Sequence, residues 1–129
     1  MSTTTARADL AAYNAAIRLP AAEVSDQLMH LLGAKLVAYL GSVRETRAVR
    51  QWAAGEREPS ADVVRRLRTA LQVAALLREK DSPAVVQTWF QGMNPQLGDV
   101  APARLLREGE LDEVGPQVIA AARAFAAEG

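Results

Sequence analysis

The most informative stretch of the sequence is Ser42-Val-Arg-Glu-Thr-Arg-Ala-Val-Arg-Gln-Trp-Ala-Ala-Gly-Glu-Arg-Glu-Pro-Ser60. Wound as a helix at about 3.6 residues per turn, Arg44 to Ala53 separates into an apolar and a polar face. The apolar face holds Val49, Trp52 and Ala53, and the polar face holds Arg44, Arg47, Arg50 and Gln51. The pattern predicts a short helix that packs through one face and presents arginines on the other.

Signals on both sides of this helix set its limits. Gly55 can adopt a positive φ and end the helix, and Ser60 is suited to cap the next one. Upstream, Ala34 to Leu40 is predicted as a supporting helix and Gly41 to Val43 as the turn. A short helix with a basic outer face has the shape of a DNA recognition helix. Arginine-rich faces are also common as plain solvated surface, so the periodicity leaves both interpretations open.

The composition indicates an all-α protein. Half of the 129 residues are apolar, many of them alanine, and Trp, Tyr and Phe occur only twice each. Alanine, leucine, arginine and glutamate favour helices, whereas the alternation of β-branched residues typical of strands is hard to find. A chain of this length holds one domain, or two small helical modules that share a core.

Charge is distributed unevenly although the net charge is zero. Residues 41–80 carry nine Lys or Arg against five Asp or Glu, a balance of +4, and residues 81–129 carry three against seven, a balance of −4. Residues 1–40 balance at three each. A basic middle before an acidic end is expected when one half meets phosphate and the other meets a different partner. Solvated surface alone would give the same distribution.

Several functional classes are disfavoured. The chain has no cysteine and one histidine, His30, so thiolate chemistry, a zinc site and a Ser-His-Asp triad are not expected. It has no phosphate-binding glycine loop and no nucleophile motif, and we expect neither an enzyme nor a bound cofactor. The start Met1-Ser-Thr-Thr-Thr-Ala6 lacks the features of a signal peptide, and no apolar run approaches about 20 residues. We therefore expect a soluble protein of the cytoplasm.

The remaining segments are predicted as helices from apolar periodicity and capping signals. Ser82-Pro83 is a second start signal, and residues 92–98 form a turn-rich connection. We expect a first domain over residues 1–80, which contains the arginine-rich helix, and a second domain over residues 81–129. Ala6 to Leu19 is predicted as a helix whose inner stripe holds Leu10, Tyr13 or Asn14, and Ile17. The next predicted helix carries Val24 to Leu32 and is capped near Ser25. The later helices are predicted at Ala61 to Leu77, Ala84 to Phe90, Pro102 to Arg107 and Asp112 to Ala127, and Pro116 is an alternative start for the last one.

The segment from Leu36 to Ser60 resembles the Xre-type helix-turn-helix. The resemblance is carried by Leu36-Val-Ala-Tyr-Leu-Gly-Ser-Val43, Val49-Arg-Gln-Trp52 and Gly55-Glu-Arg-Glu-Pro-Ser60. The recognition helix of that family ends in a similar Trp-x-x-Gly-x-x-x-Pro-Ser signature. One departure is Ala53, where many Xre proteins carry a glutamate. The resemblance implies that Arg44 to Ala53 is the recognition helix.

The second half has a resemblance of its own. Trp89-Phe-Gln-Gly-Met-Asn-Pro-Gln-Leu-Gly98, then Ala101-Pro-Ala-Arg-Leu-Leu106 and an alanine-rich helix, resembles the toxin-binding domain of the MbcA/ParS/Xre antitoxins. That family joins an Xre-like helix-turn-helix to this module in the same order. The combined resemblance runs from about Val24 to Gly129 and implies the antitoxin of a type II toxin–antitoxin pair. The same side chains would also fill a small helical core.

The resemblance implies the partners as well. The toxin would be a RES-domain protein that consumes NAD, and the antitoxin would block its active site. The antitoxin would also bind its own promoter DNA, as a homodimer or in a larger complex with the toxin. The expected DNA-binding residues are Arg44, Arg47 and Gln51 at base edges, Arg50 and Arg57 at phosphates, and Thr46 beside them; the expected toxin-binding residues are Trp89, Phe90, Asn94, Pro95, Leu97, Glu128 and Gly129.

Two other interpretations stay open. A stand-alone Xre-type transcriptional regulator would use its second half only for dimerisation. An enzyme is the third interpretation, but the carboxylates around Glu108 to Glu113 are explained by solvation and helix capping.

We expect Trp52 and Trp89 to be buried, one in each module. We also expect the last helix to present Ala126 to Gly129 to the toxin.

Overall fold

The structure is a computed structural model that describes residues 9–14 and 18–128. Over these residues the fold is all-α, as predicted, and its only β feature is an isolated bridge between Asn94 and Val100. Residues 9–14 are helical. The later elements are α1 (Ala21–Leu32), α2 (Ala34–Leu40), α3 (Thr46–Ala53), α4 (Ala61–Arg78), α5 (Pro83–Gln91), a short 3-10 helix (Pro95–Leu97), α6 (Pro102–Glu108) and α7 (Leu111–Glu128).

Capping residues set several helix ends where the sequence predicts them. The Ser60 hydroxyl accepts a hydrogen bond from Val63 N at 3.3 Å at the start of α4. The Ser82 hydroxyl accepts one from Val85 N at 3.3 Å at the start of α5. Gly55 has a φ of 74° just after α3, and α2 has the predicted bounds. These predictions are confirmed.

The last helix begins one residue before the predicted start at Asp112, and the alternative start at Pro116 is wrong. α7 starts at Leu111, and Pro116 lies inside it rather than at its first turn. The first turn is held by packing against the end of α6. Val114 is buried, and its Cγ1 would lie only 2.5 Å from a Cβ added at Gly109. This close approach leaves no room for a side chain at position 109.

The segment before α1 buries a different residue from those predicted. Leu10 is 61% exposed and Tyr13 is 48% exposed, while Ala12 belongs to the core. Ile17, the other residue of the predicted stripe, lies outside the described residues. Ser25 is buried inside α1 and does not cap that helix. Asn14, the alternative to Tyr13, is half-buried, so the predicted stripe was wrong at Leu10 and Tyr13, where large side chains were favoured over the small Ala12.

The hydrophobic core is continuous through the described part of the chain. α1 packs against α3, α4 and α5, α2 packs against α6, and α4 packs against α7. Both tryptophans are buried as predicted, Trp52 at 2% exposure and Trp89 at 8%. They belong to one core cluster, so the boundary between residues 80 and 81 stays a prediction. Every helix that the structure describes is too short or too polar to span a membrane.

Candidate nucleic-acid and partner interfaces

The turn between α2 and α3 is built around Ser42. This residue has a φ of 57°, the left-handed conformation. The Val43 N–H donates to Ala38 O at 3.0 Å, and the Ser42 N–H donates to Tyr39 O at 3.1 Å. The two bonds form a Schellman motif, with serine where glycine is the usual residue. They close α2 and turn the chain towards α3.

α3 begins two residues later than the sequence predicts. Glu45 has an extended backbone, with φ −115° and ψ 140°, and the first helical residue is Thr46. Arg44 therefore lies in the turn and not on the helix. Its side chain is exposed and still lies on the side of α3 that carries the other arginines.

α3 is anchored from its apolar face. Val49 and Trp52 are buried there, as the periodicity predicts. A Cβ at Gly41 would lie 2.7 Å from Cη2 of Trp52, so the indole ring packs directly on the turn backbone. Trp52 Nε1 has no hydrogen-bond partner among the described residues. Packing alone therefore fixes the tryptophan, and with it the orientation of α3.

Arg66 of α4 holds the same turn from the other side. Its Nη1 donates to the backbone oxygen of Leu40 at 2.8 Å, and Ser42 Oγ lies 3.4 Å from the same nitrogen. A cation at the C-terminal end of α2 also complements the helix dipole. Arg66 has no predicted role, because its contact joins residues 26 apart along the chain.

An open cleft of about 650 Å³ lies between α2, the turn and the start of α3. We call it the basic cleft. Its charged lining residues are Lys35, Arg44, Glu45, Arg47, Arg50 and Arg107. Five cations around one carboxylate give this surface a positive potential although the whole chain is neutral. Such a surface attracts polyanions, above all a nucleic-acid backbone.

The predicted DNA-binding residues divide into two groups. Those that line the basic cleft are Arg44, Thr46, Arg47 and Arg50. Thr46 Oγ1 accepts a hydrogen bond from Arg50 Nη1 at 2.6 Å, which draws that guanidinium towards the start of α3. Gln51 is half-buried, and Arg57 is exposed after the end of the helix. Neither of these two residues lines the cleft.

A second open space, of about 500 Å³, lies between α5, the following turn and α7. We call it the Met93 groove, because Met93 in its lining is 80% exposed. The other lining residues are Thr88, Trp89, Gly92, Asn94, Pro95, Gln96, Ala121, Phe125 and Glu128. An exposed methionine beside aromatic rings suits protein binding, since the flexible thioether adapts to the partner surface.

The predicted toxin-binding residues divide in the same way. Those that line the Met93 groove are Trp89, Asn94, Pro95 and Glu128. Phe90 is fully buried and Leu97 is 8% exposed, and neither of them lines the groove. The Trp89 ring meets the Phe90 ring edge-on, with 5.5 Å between the ring centres, and the centre of the Phe125 ring lies 6.4 Å from that of Trp89. Trp89 thus joins the core to the groove, while Gly129 lies outside the described residues.

The turn that lines the Met93 groove is held by Asn94. Its Oδ1 accepts a hydrogen bond from Gln96 N at 3.0 Å, and its backbone oxygen accepts bonds from Leu97 N and Asp99 N at 2.9 Å each. Its own N–H donates to Val100 O at 3.3 Å. Asn94 therefore shapes the groove in addition to lining it.

The end of α7 is held by Lys80, a residue of the loop that follows α4. Lys80 Nζ donates to the backbone oxygen of Ala126 at 2.8 Å, where a helix leaves carbonyl groups without partners. Ala126 is buried, and Glu128 next to it is exposed at the Met93 groove. The described end of α7 is thus presented in a defined position.

Residues 9–14 and 18–128 offer no set of ligands for a metal ion. These residues contain no cluster of three or more His, Asp or Glu side chains able to hold an ion. His30 is exposed, and its Nδ1 lies 2.8 Å from the backbone oxygen of Asp26, within the same helix. This is the arrangement of a surface side chain.

The fold and the two surfaces describe an all-α protein with a basic cleft at one short helix and an apolar groove at another. Comparison of the chain with family models, curated proteins and solved structures found no match. The lining or supporting residues that were not predicted include Lys35, Arg66, Met93 and Arg107. Met93 lies inside the motif quoted for the second half and could have been singled out as an apolar residue in a turn. The other three depend on contacts between distant segments.

Proposed function

We propose that this protein is a DNA-binding antitoxin of a type II toxin–antitoxin pair, acting in the cytoplasm and catalysing no reaction itself. The observation that carries the DNA-binding part is the basic cleft, where three arginines surround the start of a helix anchored by Val49 and Trp52. The toxin-binding part is supported by the sequence resemblance of residues 89–106 and by the Met93 groove in the same region.

The size of α3 supports binding in the major groove of DNA. An α-helix with its side chains is about 10–12 Å in diameter and the major groove is about 12 Å wide, so an exposed helix such as α3 fits into the groove. In helix-turn-helix proteins the second helix enters the groove with its N-terminal residues at the base edges. In this arrangement α2 is the supporting helix, and Thr46 and Arg47 at the start of α3 face the bases.

The DNA-facing arginines have different roles in this proposal. Arg47, in the first turn of α3, is suited to a bidentate contact with guanine, and Arg44 lies beside it in the turn. Arg50 leans on Thr46 Oγ1 and is suited to a phosphate contact. Gln51 and Arg57 remain expected base and phosphate contacts at the far end of the helix.

Binding to the promoter of the protein's own gene tests the DNA-binding part. We expect each lost base contact in the double variant Arg44→Ala, Arg47→Ala to weaken binding by about 1–3 kcal/mol, or about 5- to 150-fold, and to relax sequence preference. The control variant Arg78→Gln, Arg123→Gln removes the same charge from exposed positions outside the cleft. Equal binding by wild type and both variants, in fluorescence anisotropy, would show that the cleft is not the DNA site.

For the partner, we propose that the Met93 groove and the end of α7 bind a RES-type toxin that consumes NAD. Glu128 stands at a helix C-terminus, which is locally acidic. Such a group complements the cations expected where the phosphates of a dinucleotide bind. Blocking of that site by the antitoxin would follow from direct competition.

Co-expression with the product of the neighbouring gene, if it encodes a RES-like protein, tests this part. We expect the two proteins to purify together and the NAD content of the cells to be preserved. Loss of NAD together with no co-purification would overturn the antitoxin proposal. The Met93 groove would then favour the second candidate, a stand-alone Xre-type regulator that dimerises through this groove. In that case Met93→Asp should convert a dimer to a monomer in light scattering.

A further inference from the structure

Arg107 brings a cation from the second half of the chain to the basic cleft. It lies near the end of α6, and its Cζ is 4.4 Å from the centre of the Tyr39 ring of α2. Both side chains line the cleft together with Arg47 of α3. A guanidinium stacked on an aromatic ring is held in place by a cation–π interaction.

The neighbouring arginine on α6 is engaged differently. Arg104 Nε lies 3.3 Å from Glu108 Oε1, in an ion pair one turn apart. Among the described residues Arg107 forms no ion pair, and its contact is the uncharged Tyr39 ring. The contact with the ring occupies none of the guanidinium N–H groups, which have no hydrogen-bond partner among the described residues and stay available to an anion.

We propose that Arg107 is a DNA phosphate contact and that Tyr39 is its positioning residue. The inference rests on the proposed DNA binding and extends it to a residue outside the helix-turn-helix. Lys35 of α2 lines the same cleft, so the cationic surface runs from α3 across α2 to α6. A DNA backbone that passes α3 would meet Arg107 next. The DNA surface would therefore cross the predicted boundary at residues 80 and 81.

The chemistry of the site favours a phosphate over a base edge. Arg107 lies outside α3, the helix proposed to enter the major groove, and phosphate contacts lie at the margins of that groove. A phosphate contact adds about 0.9 to the slope of log K against log salt and carries no sequence information. These two properties give Arg107 a signature that differs from that of Arg47.

Arg107→Gln in the full chain tests the proposal. Anisotropy titrations with the promoter duplex and with an unrelated duplex are repeated across a salt series. We expect the salt slope to fall by about one and the affinity to fall about fivefold near 150 mM salt, equally on both duplexes. Arg78→Gln removes the same charge at the end of α4, outside the cleft, and should leave the slope unchanged.

Two further variants separate positioning from folding. Tyr39→Phe keeps the ring and should bind as the wild type does. Tyr39→Leu removes the ring and should lower the slope in the manner of Arg107→Gln, with little further loss when the two changes are combined. A purely structural role of Tyr39 would lower the melting temperature without this change of slope.

The outcomes distinguish this inference from the proposed function. If Arg47→Ala loses promoter binding and Arg107→Gln keeps the wild-type slope, Arg107 is not a phosphate contact, while the proposed function stands. If the wild type binds no DNA, both fail together. A parallel titration with inorganic phosphate tests whether Arg107 binds a free phosphate ion and not the DNA backbone. If Arg107→Gln weakens binding of the free ion but not of the duplex, the cleft binds small anions and the inference is overturned.

Discussion

The indole ring of Trp52 packs directly on the backbone of Gly41. A Cβ at position 41 would lie 2.7 Å from Cη2 of the ring and 2.8 Å from Cζ3, distances that real side chains do not adopt. The φ of Gly41 is −81°, so glycine is needed there for space and not for backbone conformation. The contact sets the distance between the turn and α3, and the position of the arginines depends on it.

Gly41→Ala should therefore destabilise the fold. Overpacking of this kind typically costs about 1–3 kcal/mol, because the ring or the turn must move. The matched control is Gly115→Ala in α7, where an added Cβ meets only ordinary contacts at 3.7 and 3.8 Å. Alanine is favoured over glycine inside a helix by about 0.5–1 kcal/mol, but a Cβ directly before Pro116 is disfavoured in the helical conformation, so the control should lose less stability than Gly41→Ala. Urea unfolding measures both, and a loss of stability in Gly115→Ala alone would contradict the packing described.

The two tryptophans should each support the whole fold. Trp52→Ala and Trp89→Ala should each lower the free energy of unfolding by about 3–5 kcal/mol, because both rings lie in one continuous core. Met93→Ala, at a residue that is 80% exposed, should change it by less than about 0.5 kcal/mol. The measurement is denaturant unfolding followed by circular dichroism. A Trp89→Ala variant as stable as the wild type would mean that the second half contributes nothing to the shared core.

Helix limits could be predicted from the sequence where one residue determines them. Ser60 and Gly55 act through their own side chain or backbone freedom, and both were assigned correctly. The start of α3 depends on Ser42, whose left-handed conformation is rare for a residue other than glycine. The start of α7 was predicted to within one residue, but the position of Pro116 inside the helix was left open, and the close approach of Val114 to Gly109 there joins two separate helix ends. Periodicity along one segment contains neither piece of information.

The candidate site could be predicted only where it lies on one helix. Arg47 and Arg50 follow from the spacing of residues on α3. Lys35 and Arg107 reach the basic cleft from α2 and α6, so only the packing of these helices on each other shows them. Phe90 shows the opposite limit. An aromatic side chain in a binding motif can be a contact or a core residue, and here it is fully buried.

Arg66 should matter more than its neighbour Arg65. Arg66→Met removes a charged hydrogen bond to Leu40 O at 2.8 Å, and its partly buried position suggests a cost of about 1–2 kcal/mol. Promoter affinity should also fall, because the turn that carries Arg44 loses its support. Arg65→Met is the control: its ion pair with Asp112 at 2.8 Å is exposed and is worth about 0–1 kcal/mol.

Thermal unfolding and promoter titration of the two variants give the comparison. We expect a clear loss of both stability and DNA affinity for the Arg66 variant, and little change in either property for the Arg65 variant. Equal behaviour in both assays would show that the contact with the end of α2 does not hold the turn.

The Met93 groove and the end of α7 should act as one surface in toxin neutralisation. Met93→Asp places a charge where an apolar contact is expected, and burial of such a side chain contributes about 1.5–3 kcal/mol. Toxin binding in a pull-down should therefore weaken more than tenfold. Deletion of residues 127–129 removes Glu128 from the groove and should also reduce the protection of cellular NAD. Promoter binding should be unchanged in both variants, because the basic cleft lies on other elements.

The control for this surface is Leu10→Asp, which adds the same charge at an apolar residue that is 61% exposed and outside the groove. It should protect NAD as the wild type does. If the deletion variant protects fully and Met93→Asp does not, the groove alone binds the toxin and the tail is dispensable. If both protect fully, the toxin-binding surface lies elsewhere on the molecule. Because the bond from Lys80 to Ala126 O precedes the deleted residues, the deletion should leave the fold intact, and melting temperature checks this directly.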